Sequence, residues 1–470
     1  MKKLLLLSSI LVLMSCTSTL LAIIRLPPVM SSNMVLQQNS QASLWGWTDP
    51  SERFTISCSW KNTVDTVIAF NSGKWKAKVS TPSAGGPYTI TIKGRRNTIV
   101  LENILIGEVW ICSGQSNMEM SNTKQIQDEL PNSSNEIRFF TVAKKTSEYP
   151  QDHCEGEWVS CNEETLRRFS AAGYFFAKKL HTELNVPIGL IQSAWSGTPV
   201  ELWEPAEVIN SDPVMKEAAT KIREVAYRPN EPGVIYNAMI YPISNYTIAG
   251  AIWYQGEGNT TRAYAYEKMF TGMIGAWRKQ FGSDFPFYYV QIAPYTYEST
   301  YEAALLMEQQ TRSLSYSKTG MVVITDLVDN VKDQHPRNKS DVGLRLANIA
   351  LAETYRKDIA VPTYKSPIYK RMEISKGKIN LYFDYAPNGF LVKGDGKPTE
   401  FLIAGSDRNF LTADVKIEKH RLVVSNKQIS NPVAVRFSFS NTGMSNLFNK
   451  EGLPVIPFRT DNWEIVPVKQ

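Results

Sequence analysis

Apolar and polar positions alternate with a period of two over much of residues 24–104, in short runs separated by turn residues. The runs 42–46, 54–60, 66–70, 75–79, 88–92 and 98–101 read as strands. Asp49-Pro50, Asn71-Ser72-Gly73 and Gly85-Gly86-Pro87 read as the turns between them. The pattern predicts a small β-sandwich. Between 105 and 360 the periodicity changes. Continuous apolar runs at 109–112, 137–142, 188–193, 248–254, 287–292 and 321–325 alternate with helical stretches at 171–184, 264–281, 303–314 and 342–355. Strands alternating with helices predict an α/β fold with a parallel sheet, in which sites gather at the strand C-termini. From 361 to 470 strand patterns return, at 378–383, 401–404, 420–425 and 434–439. The expected organisation is a segment 1–22, a β region 23–104, an α/β domain 105–360 and a second β region 361–470.

Segment 1–22 reads as an export signal. Lys2-Lys3 is followed by an apolar run, 4–14, that is too short to span a bilayer. Cleavage near Ala22 fits, because folded sequence begins at Ile24. Leu13-Met14-Ser15-Cys16 also matches a lipobox, with Cys16 as a lipid anchor. Either exit predicts an exported protein, periplasmic, secreted or at the cell surface. No later run is long and apolar enough to be transmembrane.

The chain has 470 residues, 43% hydrophobic and 11% aromatic, enough for several real cores. A net charge of +6 with no basic cluster gives no footprint for nucleic acid. Five cysteines include Cys16, Cys58 and Cys112, the last two in apparent strands. Cys154 and Cys161 flank the run EGEWVS, and an oxidising compartment can join them. No CxxC or HxxxH spacing offers a metal site, and no cofactor motif is present.

Candidate chemistry collects where the α/β strands end. In Gly107–Ser121, GEVWICSGQSNMEMS, an apolar strand stops at Ser113-Gly114 and a small polar turn carries Ser116. A serine there is either a helix N-cap or an exposed nucleophile whose own N–H faces a developing oxyanion. IGLIQSAWSG ends a second strand at Gly197, a turn glycine or a backbone N–H donor. AIWYQGEGN ends a third with Gln255, Glu257 and Asn259. Amides there can hold an oxyanion and a carboxylate can orient a base; the alternative is a hydrogen-bonded turn. TDLVDNVKDQHPRNK carries His335 beside Asp333, Asp329 and Asp326. A histidine base needs a carboxylate to fix its tautomer. His181, His153 and His420 sit in poorer settings, so His335 is the candidate base. The run Gly114-Gln115-Ser116-Asn117-Met118 lacks the second glycine of a G-x-S-x-G elbow.

The ordered set GQSNM, QSAWSGTPVELW, WYQGEGN, HPRNK and LPVIPFRTDNW, with the opening LPPVMSSNMVLQQ, resembles the sialate O-acetylesterases of the SGNH-hydrolase superfamily. The resemblance covers nearly the whole chain after 22. It implies a flavodoxin-like catalytic domain beside β-sandwich-like regions, and an esterase that removes O-acetyl groups from sugars without a metal. It makes Ser116 the nucleophile, His335 the base, and the N–H groups of Ser116 and Gly197 part of the oxyanion hole. Gln255 or Asn259 supplies the third donor, because QGEGN stands where a G-x-N-D block is usual. The superfamily often has Asp three residues before the histidine; that position is Lys332 here, which leaves Asp333 or Glu257 as the triad acid. O-acetylated sialic acid is the expected substrate; Arg262, just after the QGEGN turn, reads either as a solvated loop arginine or as a bidentate partner for the sialic carboxylate. The rival readings are a plant-glycan or acetylxylan esterase and an inactive carbohydrate-binding relative. Loops such as 201–232 set specificity, and the pattern leaves oligomeric state open.

Overall fold

The computed structural model describes residues 23–121, 123–132, 134–360, 363–394 and 396–469. The export features, Lys2-Lys3, the run 4–14, Cys16 and Ala22, lie outside the described residues. No helix among the described residues is long and apolar enough to cross a membrane.

The long strand Thr98–Gly114 organises the molecule. Its second half is apolar without alternation because both faces are covered: Val109, Trp110, Ile111 and Cys112 are wholly buried. It is the centre of a sheet ordered Thr319–Val322, Phe287–Val290, Gly250–Tyr254, Thr98–Gly114, Ile188–Ala194, Ile137–Thr141 and Trp158–Ser160. Every pairing is parallel except that of the last edge strand. Val109 and Ile111 join Trp253, Phe270, Trp277 and Leu306 in one core. Trp110 and Cys112 join Ile252, Phe176, Val342 and Leu346 in a second core on the opposite face.

Strand order positions the site. From Ile188–Ala194 the chain crosses over the long strand to Gly250–Tyr254 and then builds outward. The crevice at such a reversal lies outside the strand carboxyl ends. Three strands finish level there, with Gly114 in register with both Ala194 and Tyr254. Gly114 is needed at that point. Its φ is +136°, and a Cβ would sit 2.2 Å from the Tyr254 carbonyl oxygen.

The expected change of character at 104/105 falls inside the long strand. Its first half pairs antiparallel with Gly85–Lys93, and residues Leu105–Gly107 pair with Val35–Gln37. The strand continues through Gly107 and Glu108 between the apolar runs 104–106 and 109–112, so one strand serves both layers. The antiparallel pair of Gln41–Trp47 with Lys74–Ser80 packs into one core with the first half, and Phe54 meets Trp75 edge-on at 4.9 Å. The amino-terminal β region therefore shares its core with one face of the central sheet. The carboxy-terminal β region has a core of its own around Ile379, Leu381, Phe401, Val424 and Phe437.

Helix Ala171–Leu184 spans the predicted residues: Ser170 caps it by accepting from Gly173 N, and Asn185 stops it in the left-handed region at φ +53°. Cys154 and Cys161 are both free, which removes the disulfide option. Cys154 belongs to one core and Cys161 to the other, on opposite faces of the sheet. Burial raises both thiols, to about 12 and about 11, so both stay protonated and inert.

Candidate active site

Ser116 opens the four-residue helix Ser116–Glu119, with Gln115, not Ser116, at the N-cap position. Its hydroxyl is turned away from the helix backbone and meets His335: Oγ to Nε2 is 2.9 Å. That is the contact between a nucleophile and its base. The backbone N–H groups of Ser116 and Gly197 donate to no protein acceptor among the described residues, so both are free to stabilise an oxyanion.

His335 is half-buried. Its ring pKa lies below the ordinary value of 6.5, first because burial disfavours the imidazolium and then because the Lys339 ammonium is near; Asp333 pulls the other way. The ring is therefore neutral at neutral pH, the form a base requires. Asp333 Oδ1 accepts from the His335 backbone N–H at 2.9 Å and stands 3.6 Å from Nδ1. Glu257 is elsewhere. It is buried, its Oε1 accepts from Asn117 Nδ2 at 2.6 Å, and its Oε2 has no partner among the described residues. Of the two acids left open by sequence, Asp333 is the one beside the imidazole.

Gly197 adopts φ +73° beneath the ring of Tyr227, whose Cε2 would lie 2.7 Å from a Cβ at that position. The preceding Ser196 donates from both N and Oγ to Glu119 Oε2, at 2.9 and 2.8 Å. The helix that carries Ser116 thus holds the turn that carries Gly197.

Gln255 and Asn259 are wholly buried and occupied. Gln255 Nε2 donates to Thr198 O and Asn259 Oδ1; Asn259 donates to Glu201 Oε2 and accepts from Val200 N. Both amides brace the turn after Gly197. Arg262 corrects an expectation. It is buried against Glu201, with Nε 3.1 Å from Oε1 and Nη2 on the Gly258 carbonyl, so it does not face a substrate carboxylate. Its partner Glu201 lies 61 residues away in sequence, and no local pattern announces the pair.

Beside His335 a groove of about 840 Å³ opens between Met120, Lys124, Asp329, Asp333 and Arg337. Among the described residues no group of three or more His, Cys, Asp or Glu is arranged to hold a metal ion. Sequence reading passed over Gln115, Asn117, Glu119 and Lys339. Gln115 Oε1 accepts from Gly258 N at 3.2 Å and Asn117 Nδ2 donates to Gln334 O at 3.1 Å, tying this turn to its neighbours. Lys339 had a signal: it is in phase with the buried stripe Val342, Gly343, Leu346 and Ala347 of helix Lys339–Ile349.

Residues 106–352 match the family model for the sialic acid-specific acetylesterases, a group of carbohydrate esterases. A crystal structure of a carbohydrate acetylesterase from Xanthomonas citri superposes with a TM-score of 0.85 at 34% identity, covering 94% of this chain and 100% of that one. The sialate O-acetylesterase of Homo sapiens is 29% identical over 404 residues, 76% of each chain. That of Mus musculus is 29% identical over 422 residues, 75% of this chain and 77% of its own. The chain belongs to the sialic acid-specific acetylesterase family of carbohydrate esterases.

Proposed function

We propose that this enzyme removes O-acetyl groups from sugars by a serine mechanism, with O-acetylated sialic acid as its preferred substrate. The observation that carries the mechanism is the 2.9 Å contact between Ser116 Oγ and His335 Nε2 at the carboxyl edge of the sheet. His335 takes the hydroxyl proton as Ser116 Oγ attacks the acetyl carbonyl carbon. The N–H groups of Ser116 and Gly197 hold the resulting oxyanion. Collapse breaks the bond to the sugar oxygen, which leaves with the proton from His335. Water then gives a proton to His335 and attacks the acetyl-enzyme carbonyl; collapse breaks the bond to Ser116 Oγ, which takes that proton back from His335, and acetic acid leaves. Asp333 keeps the imidazole in the tautomer with its lone pair on Nε2. Gln255, Asn259 and Glu257 support the turns around the oxyanion site.

The named substrate of the curated relatives supports the sialate preference. Lys2-Lys3 and the apolar run that follows support export, to the periplasm or beyond.

Ser116→Ala tests the mechanism. The expected result is loss of aryl-acetate hydrolysis by roughly 10⁴-fold or more in kcat with the fold intact. Retention of a tenth of the activity would remove Ser116 from the nucleophile role. Parallel kcat/KM values for O-acetylated sialic acid and acetylxylan test the sugar, and a clear preference for acetylxylan reassigns the substrate.

A further inference from the structure

Lys339 is an anomaly of burial. It is 0% exposed, on the apolar face of a helix where leucine or methionine would pack at no electrostatic cost. Taking an ammonium out of water costs several kcal/mol unless other groups compensate. Here Nζ donates to Asn117 Oδ1 at 2.6 Å and lies 5.0 Å from the centre of the Tyr254 ring. The Asn117 amide passes the contact on, through Nδ2, to Glu257 Oε1 at 2.6 Å and to the Gln334 carbonyl at 3.1 Å. One buried side chain therefore ties together three segments that arrive separately at the sheet edge. Asn117 follows the nucleophile. Gln334 precedes the base. Glu257 belongs to the turn after Gly250–Tyr254. None of the three touches the reacting atoms.

We propose that Lys339, Asn117 and Glu257 form a buried brace that holds the Ser116 hydroxyl and the His335 ring in register, making Lys339 and Asn117 positioning residues of the esterase. The idea rests on Ser116 and His335 being the reacting pair. Lys339 pins the acceptor end of the Asn117 amide. That fixes the orientation in which Nδ2 faces Glu257 and the loop carbonyl next to His335. Misplacing reacting groups by about 1 Å can cost roughly 10²-fold in rate.

The brace also carries charge. Burial draws Lys339 down to about 7, against the pull of Glu257 and Asp333. Burial raises Glu257, while Asn117 and Lys339 oppose the rise. The charged or titratable groups around the lysine are thus Glu257, Asp333, Tyr254 and His335, and its positive form lowers the imidazole pKa.

Lys339→Met keeps the length and packing of the side chain and removes both donor and charge. We expect kcat for an aryl acetate to fall about tenfold or more, KM to stay within about twofold, and the acid limb of kcat/KM to move to higher pH. Asn117→Ala should give the same kcat loss if it folds; if it does not, Lys339→Met alone decides. A Lys339→Met enzyme with unchanged kcat and an unmoved acid limb overturns the brace, whatever its melting temperature. Ser116→Ala, assayed alongside, separates the two ideas. An active Ser116→Ala removes the reading of the site. An inactive one beside a wild-type-like Lys339→Met removes only the brace.

Discussion

At the scale of single residues, the site turns on what surrounds His335. Desolvation and the Lys339 ammonium both favour the neutral ring, while Asp333 favours the charged one, and the net direction is downward from 6.5. The base works unprotonated, so activity is full above the lowered pKa and disappears as pH falls through it. A pH profile of kcat/KM should therefore show an acid limb with its midpoint below 6.5. A midpoint above about 7 would mean that the ring is stabilised as imidazolium. The two carboxylates divide by their contacts. Asp333 faces Nδ1 and holds the His335 backbone N–H, whereas Glu257 faces Asn117. Asp333→Asn should lose more kcat than Glu257→Gln, since the amide that replaces the Glu257 carboxylate would still offer an oxygen to Asn117. The reverse ranking in folded variants would move the acid role to the QGEGN turn.

At the scale of elements, the sequence was most readable where one periodicity dominated. Helix Ala171–Leu184 and strand Phe401–Ala404 agree with their predicted spans to the residue, because a cap, a left-handed stop or a turn marks each end. The ends of the sheet strands were less legible. Apolar character continues past the last paired residues at Ile292, Val323 and Ile324, since these residues stay buried after the strands end. The helix expected from 342 begins at Lys339, where Asn338 caps it by accepting from Asp341 N. A charged first residue hid that start, although the same residue is the one driven inward. The strand-end turns could be found from their small polar residues. What each amide does there could not, because the partners are remote in sequence: Gln255 with Thr198, Asn259 with Glu201, Asn117 with Lys339. Arg262 shows the same limit, since an arginine in a loop reads as exposed until Glu201 is brought beneath it.

At the scale of the whole molecule, the two β regions stand in different relations to the catalytic sheet. The amino-terminal one is built on the same strand that delivers Ser116, and its apolar residues are continuous with one face of the sheet. The carboxy-terminal one encloses a core of its own and meets the α/β layer through a limited set of contacts, among them Ile456, which is buried in the first core, and Phe439 against the Tyr301 ring. Its polar contacts include the two-pronged pair of Arg459 with Glu308, at 2.9 and 3.0 Å, and Asn441, which accepts from Ala303 N and donates to Ser299 O. Damage to the two cores should therefore reach the active site unequally. Ile104 is wholly buried in the long strand, and Ile379 is wholly buried in the carboxy-terminal core. Truncating either to alanine removes comparable volume and costs about 2–5 kcal/mol locally. Ile104→Ala should lower the temperature of half-inactivation together with the calorimetric transition of the central sheet. Ile379→Ala should shift a separate calorimetric transition and leave the inactivation temperature close to wild type. Equal falls in inactivation temperature for the two variants would mean that the chain melts as one cooperative unit, with the Arg459 and Asn441 contacts coupling the carboxy-terminal core to the site as tightly as a shared core does.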